Sequence, residues 1–120
     1  MLNKQGAPST FPSVTDLDAL ANALAAFGHP TRLRIAVLLS EGTMSPVQAT
    51  ARLEGSKLGV VAHHFRSLHA AGLIRQTSTR TRRGAVEHFY TLTDDSNELL
   101  NTLGLLPNVA AQERAPGSES

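Results

Sequence analysis

The sequence predicts a mainly α-helical domain with one β-hairpin, in the order α-α-α-α-β-β-α. Apolar residues recur at helical spacing in the first part of the chain, whereas from Leu73 to Leu92 β-branched residues alternate with polar ones. Glycine and proline separate these segments. With 120 residues, the chain is sized for one domain with a modest core. We expect a flexible arm over residues 1–15, the domain over 16–106 and a flexible tail over 107–120.

Two helices are predicted at the start of the domain. Thr15 or Asp16 can cap a helix that runs to about Phe27, before Gly28. Its apolar face consists of Leu17, Leu20, Ala21, Leu24 and Phe27. A second helix runs from about Pro30 to Glu41, because proline is well suited to a first helical turn. Its predicted buried residues are Leu33, Ile35, Ala36, Leu38 and Leu39.

The next two helices are predicted to form a helix-turn-helix. Ser45 and Gln48 match the capping-box pattern at the start of a short helix, and Gly55 lies in the tight turn that ends it. The following helix spans residues 56–71 and is the recognition helix by position. Its predicted inner face consists of Leu58, Val61, Ala62, Phe65, Leu68 and Ala71.

A hairpin and a last helix complete the pattern. Strands are predicted at residues 73–79 and 85–92, joined by a polar tip at 80–84 that contains three arginines. Asp94, Asp95 or Ser96 can start the last helix. Its apolar residues are Leu99, Leu100, Leu103 and Leu106. A helix-turn-helix followed by such a hairpin predicts a winged helix.

Charge is unevenly distributed along the chain. Residues 1–51 and 84–120 carry net charges of 0 and −5, whereas residues 52–83 carry seven basic side chains and one acidic side chain, a balance of +6. The basic residues are Arg52, Lys57, Arg66, Arg75, Arg80, Arg82 and Arg83. Such a strip favours a polyanionic partner over a merely solvated surface.

Four motifs in order resemble ArsR-type (ArsR/SmtB-like) winged-helix transcriptional regulators. Residues 28–35 (GHPTRLRI) resemble the HPxRxxIL opening of that family, and 45–49 (SPVQA) resemble its first helix of the helix-turn-helix. Residues 61–68 (VAHHFRSL) resemble its recognition helix and precede AGLI at 71–74. Residues 82–90 (RRGAVEHFY) resemble the wing of an actinobacterial-like subgroup. The resemblance implies DNA binding and a homodimer.

Two departures from the family pattern bear on function. Ala62 stands where many members carry a serine that offers a hydrogen bond to DNA. The chain has no cysteine, so the thiolate metal motif of the metal-sensing members is absent. On these grounds no metal ligand and no cofactor are assigned. A nickel or zinc site built from histidine and carboxylate ligands remains the alternative, since imidazole suits these metals.

The predicted DNA-binding surface combines the recognition helix with the wing, residues 75–90. A helix fits the major groove and its N-terminal residues reach base edges, while arginines at a hairpin tip contact the backbone or the minor groove. For His63 and His64, the alternative is packing within the protein. The assigned residues are Ser56, Lys57, Gly59, Val60, His63, His64, Arg66, Ser67, Arg80, Arg82 and Arg83.

A homodimer is expected to bind a pseudo-palindromic double-stranded operator. The first and last helices contain more leucine than a thin domain needs for its own core, although these side chains could also cover that core alone. The residues assigned to the dimer interface are Leu17, Leu20, Leu24, Leu99, Leu100 and Leu103.

Other functional classes fit less well. The chain lacks a cysteine nucleophile and a glycine-rich phosphate loop, so no catalytic residue is assigned and an enzyme is not expected. A protein-interaction module without specific DNA binding would have no reason to keep arginines at the wing tip. An RNA-binding winged helix would need exposed aromatic residues for base stacking. We therefore predict a cytoplasmic transcriptional regulator, most simply a repressor, with no membrane partner and an effector that the sequence does not identify.

Overall fold

The computed structural model describes residues 16–106, and the predicted arm and tail lie outside that range. The element order is α-α-α-α-β-β-α, as predicted. The elements are α1 (Leu17–Phe27), α2 (Pro30–Ser40), α3 (Pro46–Arg52), α4 (Leu58–Ala70), β1 (Ile74–Arg82), β2 (Ala85–Leu92) and α5 (Asp94–Thr102). This arrangement is a winged helix-turn-helix.

Local hydrogen bonds explain where the helices begin. The Asp16 carboxylate accepts from the backbone N–H of Ala19, and the Thr93 hydroxyl accepts from that of Ser96. Ser45 and Gln48 form the predicted capping box, in which each side chain accepts from the backbone of the other. The recognition helix α4 begins at Leu58, two residues later than predicted.

The hairpin is longer than predicted. Strand β1 continues to Arg82, which pairs with Ala85, so the turn consists only of Arg83 and Gly84. Both turn residues have positive φ, at 53° and 81°, as a two-residue hairpin turn of the mirror-image type requires. The predicted five-residue tip is therefore wrong, because the polar residues before the turn pair with β2 instead of forming a loop.

One short pairing was missed by the sequence pattern. Met44 forms an isolated antiparallel bridge with Tyr90, with both backbone N–H···O distances at 3.0 Å. This bridge joins the residue next to the α3 cap to strand β2. The wing is consequently attached to the helix-turn-helix by backbone hydrogen bonds as well as by side chains.

The core lies between the helices and the base of the hairpin. Its fully buried members include Ile35, Leu39, Phe65, Leu68, Ile74 and Leu100. Each such side chain contributes roughly 1.5–3 kcal/mol through removal from water. The predicted helical faces need correction at their edges: Leu17, Leu24 and Leu58 are 62%, 45% and 46% exposed. Ala71 is exposed too, whereas Ala23 is buried.

Candidate nucleic-acid interface

The exposed side of α4 carries several of the residues predicted to contact DNA. Lys57 is the residue that precedes the helix, and no side chain of the described part of the chain caps the first turn. The leading N–H groups are thus available to an anion such as a phosphate. Gly59 and His63 are exposed, and Val60 is 52% exposed. A Cβ at Gly59 would meet no atom of residues 16–106 within 4 Å, so packing within that part of the chain does not require glycine there.

The two ends of the predicted surface on α4 differ. Arg66 is exposed, about one turn after His63 and two turns after Gly59. Ser56 and Ser67 are half-buried, and Ser56 precedes the helix cap. Ser56 and Ser67 are therefore less accessible than Lys57 and His63. Arg66 is accessible but lies farther from the start of the helix.

The placement of His64 on the exposed face is wrong. Its side chain is 6% exposed, and its Nδ1 accepts a hydrogen bond from the Nε–H of Arg32 at 3.1 Å. Arg32 also donates through Nη1 to the carbonyl of Ala26 at 3.2 Å, so this pair joins α1, α2 and α4. His64 thus positions the recognition helix within the protein and is unavailable to DNA as the side chain is placed.

The surroundings of His64 favour its neutral form. The rings of His29 and His63 lie 4.4 Å and 5.7 Å from the His64 ring, between centroids. Burial lowers the pKa of His64, and His29, Arg32 and His63 lower it further by charge repulsion. A neutral ring keeps Nδ1 as an acceptor for Arg32.

The three wing arginines occupy different environments. Arg82 and Arg83 are exposed at the turn. Arg80 lies within β1, where its Nη2 is 2.8 Å from the Glu87 carboxylate and its guanidinium is 5.2 Å from the centre of the Phe89 ring. Its side chain remains 47% exposed. Arg80 therefore supports the hairpin, while Arg82 and Arg83 present charge without a carboxylate partner among residues 16–106.

Glu87 connects the wing to the helix-turn-helix. Its carboxylate accepts hydrogen bonds from the hydroxyl of Ser45 and from Arg80. These two hydrogen bonds, that from Ser45 first, hold the pKa of Glu87 below its usual value. Ser45 is itself fully buried at the start of α3. The direction of the wing is thereby tied to the cap of α3.

A continuous cleft brings the wing and the recognition helix together. One hollow of about 380 Å³ is lined by Arg82 and Arg83, and another of about 310 Å³ by Arg66. The two hollows share Val47, Val86 and Glu87, so they adjoin each other.

Two residues of this cleft were missed at the sequence level. Val47 and Val86 are 54% and 55% exposed. Both are available for apolar contact with a sugar or a thymine methyl group.

The leucines assigned to dimerisation separate into two groups. Leu17, Leu24 and Leu103 are 62%, 45% and 52% exposed, and Leu20 and Leu99 are half-buried. Leu100 is 1% exposed and belongs to the core of its own chain, so its assignment to the interface is wrong. Leu105, which was not predicted, is 45% exposed.

Between residues 16 and 106, no group of three or more histidine, cysteine or acidic side chains is placed to hold a metal ion. Within the same range, no helix combines the length and the apolar character that a membrane crossing requires.

Comparison with known proteins places this geometry in a family context. Residues 27–77 match a family model described as a helix-turn-helix domain. The chain is a winged helix-turn-helix protein. No curated protein sequence matches it.

Solved structures with the same winged helix-turn-helix fold are transcriptional regulators. A MarR-family regulator from Enterococcus faecalis has a TM-score of 0.62 at 20% identity, over 80% of this chain and 86% of that one. The homodimeric DNA-binding domain of Mb0332 from Mycobacterium bovis, a possible ArsR-family regulator, has a TM-score of 0.60 and 22% sequence identity, over 82% of each chain. The repressor BigR from Xylella fastidiosa has a TM-score of 0.59 and 26% sequence identity, over 74% of this chain and 86% of that one. The resemblance to ArsR-type winged-helix regulators is confirmed, and the actinobacterial-like subgroup stays a prediction.

Proposed function

We propose that this winged helix-turn-helix protein is a sequence-specific, double-stranded DNA-binding transcriptional regulator that acts as a homodimer and represses by occupying its operator. The observation that carries the proposal is the shared cleft of α4 and the wing, with Arg66 on one side and Arg82 and Arg83 on the other. Exposed guanidinium groups in this arrangement fit the spaced phosphates of a duplex.

The residues have different roles in this proposal. Gly59, Val60 and His63 enter the major groove, where glycine allows close approach, valine contacts a thymine methyl group and histidine bonds to a base or phosphate. Lys57 and Arg66 bind phosphates. Arg82 and Arg83 contact the flanking backbone or the minor groove. Arg80 adds charge from within the hairpin, and the half-buried Ser56 and Ser67 lie at the margin of the surface.

The proposed homodimer is supported by exposed apolar side chains on α1 and directly after α5. Leu17 and Leu24 on α1 and Leu103 after α5 would each lose contact with water in an interface. Mb0332, which has the same fold, is homodimeric. Two recognition helices related by a two-fold axis would read a pseudo-palindromic operator and double the phosphate contacts.

Repression is the simplest consequence of operator binding, and BigR is described as a transcriptional repressor. The nickel- or zinc-responsive alternative remains a prediction, and the binding experiment below includes it.

Fluorescence anisotropy on DNA from the protein's own upstream region would test the proposal. The matched control is a shuffled duplex of equal length and composition, and both are titrated across a range of salt. We expect preference for the native fragment, with affinity that falls steeply as salt rises because counterions are released. EDTA, nickel and zinc are tested in parallel to decide whether a metal alters the affinity.

Equal and weak binding to both duplexes would contradict sequence-specific regulation and favour a non-specific or protein-interaction role. Absence of binding at low salt would contradict the DNA-binding proposal altogether.

A further inference from the structure

An apolar cavity lies behind the helix-turn-helix. It has a volume of about 310 Å³ and lies between α2, the end of α3 and α5. Its aliphatic lining consists of Leu33, Val37, Leu38, Leu53, Leu100 and Leu105. A volume of this size is at the lower end of the range for small-molecule sites, which are mostly apolar with a few polar groups.

One cation stands at the edge of this cavity. Arg34 lines the apolar cavity and also a second, polar cleft of about 400 Å³, and Leu53 likewise belongs to both. The two spaces therefore adjoin at these residues. The side chain of Arg34 is exposed and forms no ion pair with any described carboxylate.

The polar cleft has a net positive lining. Arg34 and Arg52 supply two guanidinium groups, and Glu54 supplies one carboxylate. Arg52 is 3.6 Å from Glu41, whereas Arg34 has no carboxylate partner among residues 16–106. Thr31 lines the same cleft and offers a hydroxyl group. A single negative charge is favoured here over a double one, because Glu54 would repel a dianion.

We propose that the paired spaces bind an amphipathic monocarboxylate, a hydrocarbon chain or small ring that carries one carboxylate. The hydrocarbon occupies the leucine- and valine-lined cavity. The carboxylate lies in the polar cleft and accepts two parallel hydrogen bonds from the planar guanidinium of Arg34. This arrangement satisfies both the apolar lining and the available cation with one ligand.

The position of the cavity gives the ligand a route to regulation, and this part of the inference rests on the proposed function. Leu53 directly follows α3 of the helix-turn-helix, whereas Leu100 lies in α5 and Leu105 in the residues after it. An occupant in contact with both elements would alter their separation if it binds one arrangement better than another. DNA affinity would then change with ligand concentration.

Direct ligand binding can be measured on the full chain without DNA. Octanoate is the probe, octanol tests the need for the carboxylate and acetate tests the need for the hydrocarbon. By isothermal titration calorimetry we expect octanoate to bind at least about tenfold more tightly than octanol, a difference equivalent to about 1.4 kcal/mol. Acetate should show no binding. The melting temperature should rise with octanoate concentration, since ligand binding stabilises the folded state.

Two pairs of variants locate the site. Arg34→Gln should weaken octanoate binding about tenfold and leave octanol unaffected, a loss equivalent to about 1.4 kcal/mol. The matched control Arg75→Gln, at an exposed position on β1, should bind as the parent does. Val37→Trp should fill the cavity and abolish binding of both probes, whereas Leu58→Trp, at an exposed position at the start of α4, should not.

The proposal is overturned if octanoate does not bind, if octanol binds as tightly as octanoate, or if Arg34→Gln has no effect. It is also overturned if Val37→Trp leaves octanoate binding intact. If the Val37→Trp variant is a monomer and octanoate does not bind the parent protein, the cavity belongs to an interface between copies of the chain. A failure to bind DNA would not alter these results, so the two proposals fail separately.

Discussion

The hydroxyl of Ser45 donates a hydrogen bond to the carboxylate of Glu87, which joins the cap of α3 to strand β2 across 42 positions of sequence. The same hydroxyl accepts the backbone N–H of Gln48 at 3.1 Å, and the same carboxylate accepts from Arg80 at 2.8 Å. This chain of hydrogen bonds runs from the helix-turn-helix to the wing. It sets the direction in which the wing arginines project.

Glu87→Gln should reduce stability at neutral pH and flatten its acid dependence. The pKa of Glu87 lies below its usual value of 4.5 in the folded state. Its carboxylate therefore adds stability that is present above pH 4.5 and is lost as the pH falls through the folded-state value. Thermal unfolding from pH 3 to 7 should show the two proteins converging in acid. A difference in melting temperature between parent and variant that is the same at every pH would contradict this. Glu54→Gln, which removes an exposed carboxylate, is the control.

His64→Gln should remove a different pH dependence. Because the pKa of His64 is lowered from 6.5 in the folded state, the unfolded chain takes up a proton first as the pH falls. The parent should therefore lose stability as the pH drops below about 6.5, until the pH passes the folded-state pKa. Glutamine keeps an acceptor for Arg32 but does not titrate, so its stability curve should be flatter. A variant as steep as the parent would contradict this, and exposed His88→Gln should remain as steep.

His64→Leu should be more destabilising than His64→Gln. Leucine leaves the Nε–H of the half-buried Arg32 without the acceptor that lies 3.1 Å away in the parent. An unsatisfied donor of this kind costs about 1–3 kcal/mol. Chemical denaturation at pH 7.5 provides the comparison, and equal stability of the two variants would show that the hydrogen bond contributes little.

Replacement of Arg82 and Arg83 by alanine should weaken binding to all DNA sequences. Loss of two phosphate contacts should reduce the slope of log affinity against log salt by about 2. Anisotropy at several salt concentrations measures both quantities. Arg75→Ala is the matched control, because it lies seven residues before Arg82 on the same strand, about 23 Å away. An unaltered slope in the double variant would exclude a contact between the wing tip and phosphate.

His63→Ala should relax base preference more than it reduces overall affinity. In the proposed complex the exposed imidazole reads one base edge, and loss of such a contact typically costs about 1–3 kcal/mol of discrimination. Binding to a randomised operator library before and after substitution is the measurement. If the variant keeps the base preference of the parent, His63 does not contribute to sequence recognition.

Leu24→Glu should convert the proposed homodimer to a monomer. A carboxylate buried at an interface between two copies would lack a partner and would cost more than the leucine contributes. Light scattering coupled to size exclusion gives the mass directly. Leu58→Glu is the matched control, since Leu58 is 46% exposed and Leu24 is 45% exposed. Loss of the dimer in both variants, or in neither, would contradict an interface on α1.

The sequence determined the order of elements because the signals involved are local. Ser45 and Gln48 are three residues apart, so the geometry of one helical turn suffices to predict their reciprocal hydrogen bonds. The turn at Gly84 and the alternation in β2 likewise depend on neighbouring residues. The error at the hairpin tip arose because pairing of Arg82 with Ala85 needs a partner strand, which a run of polar residues does not reveal.

Only the tertiary structure decided where the buried side of each helix ends. Helical periodicity identifies an apolar stripe but not its width or its angle to the core. Periodicity alone therefore does not decide whether His64 is buried or exposed. It is buried because it accepts a hydrogen bond from Arg32, which lies 32 residues away in the sequence. For the same reason, periodicity could not separate the buried Leu100 from the exposed Leu103. The contact between Ser45 and Glu87 and the cavity beside Arg34 depend on packing between distant segments, which no spacing within the chain encodes.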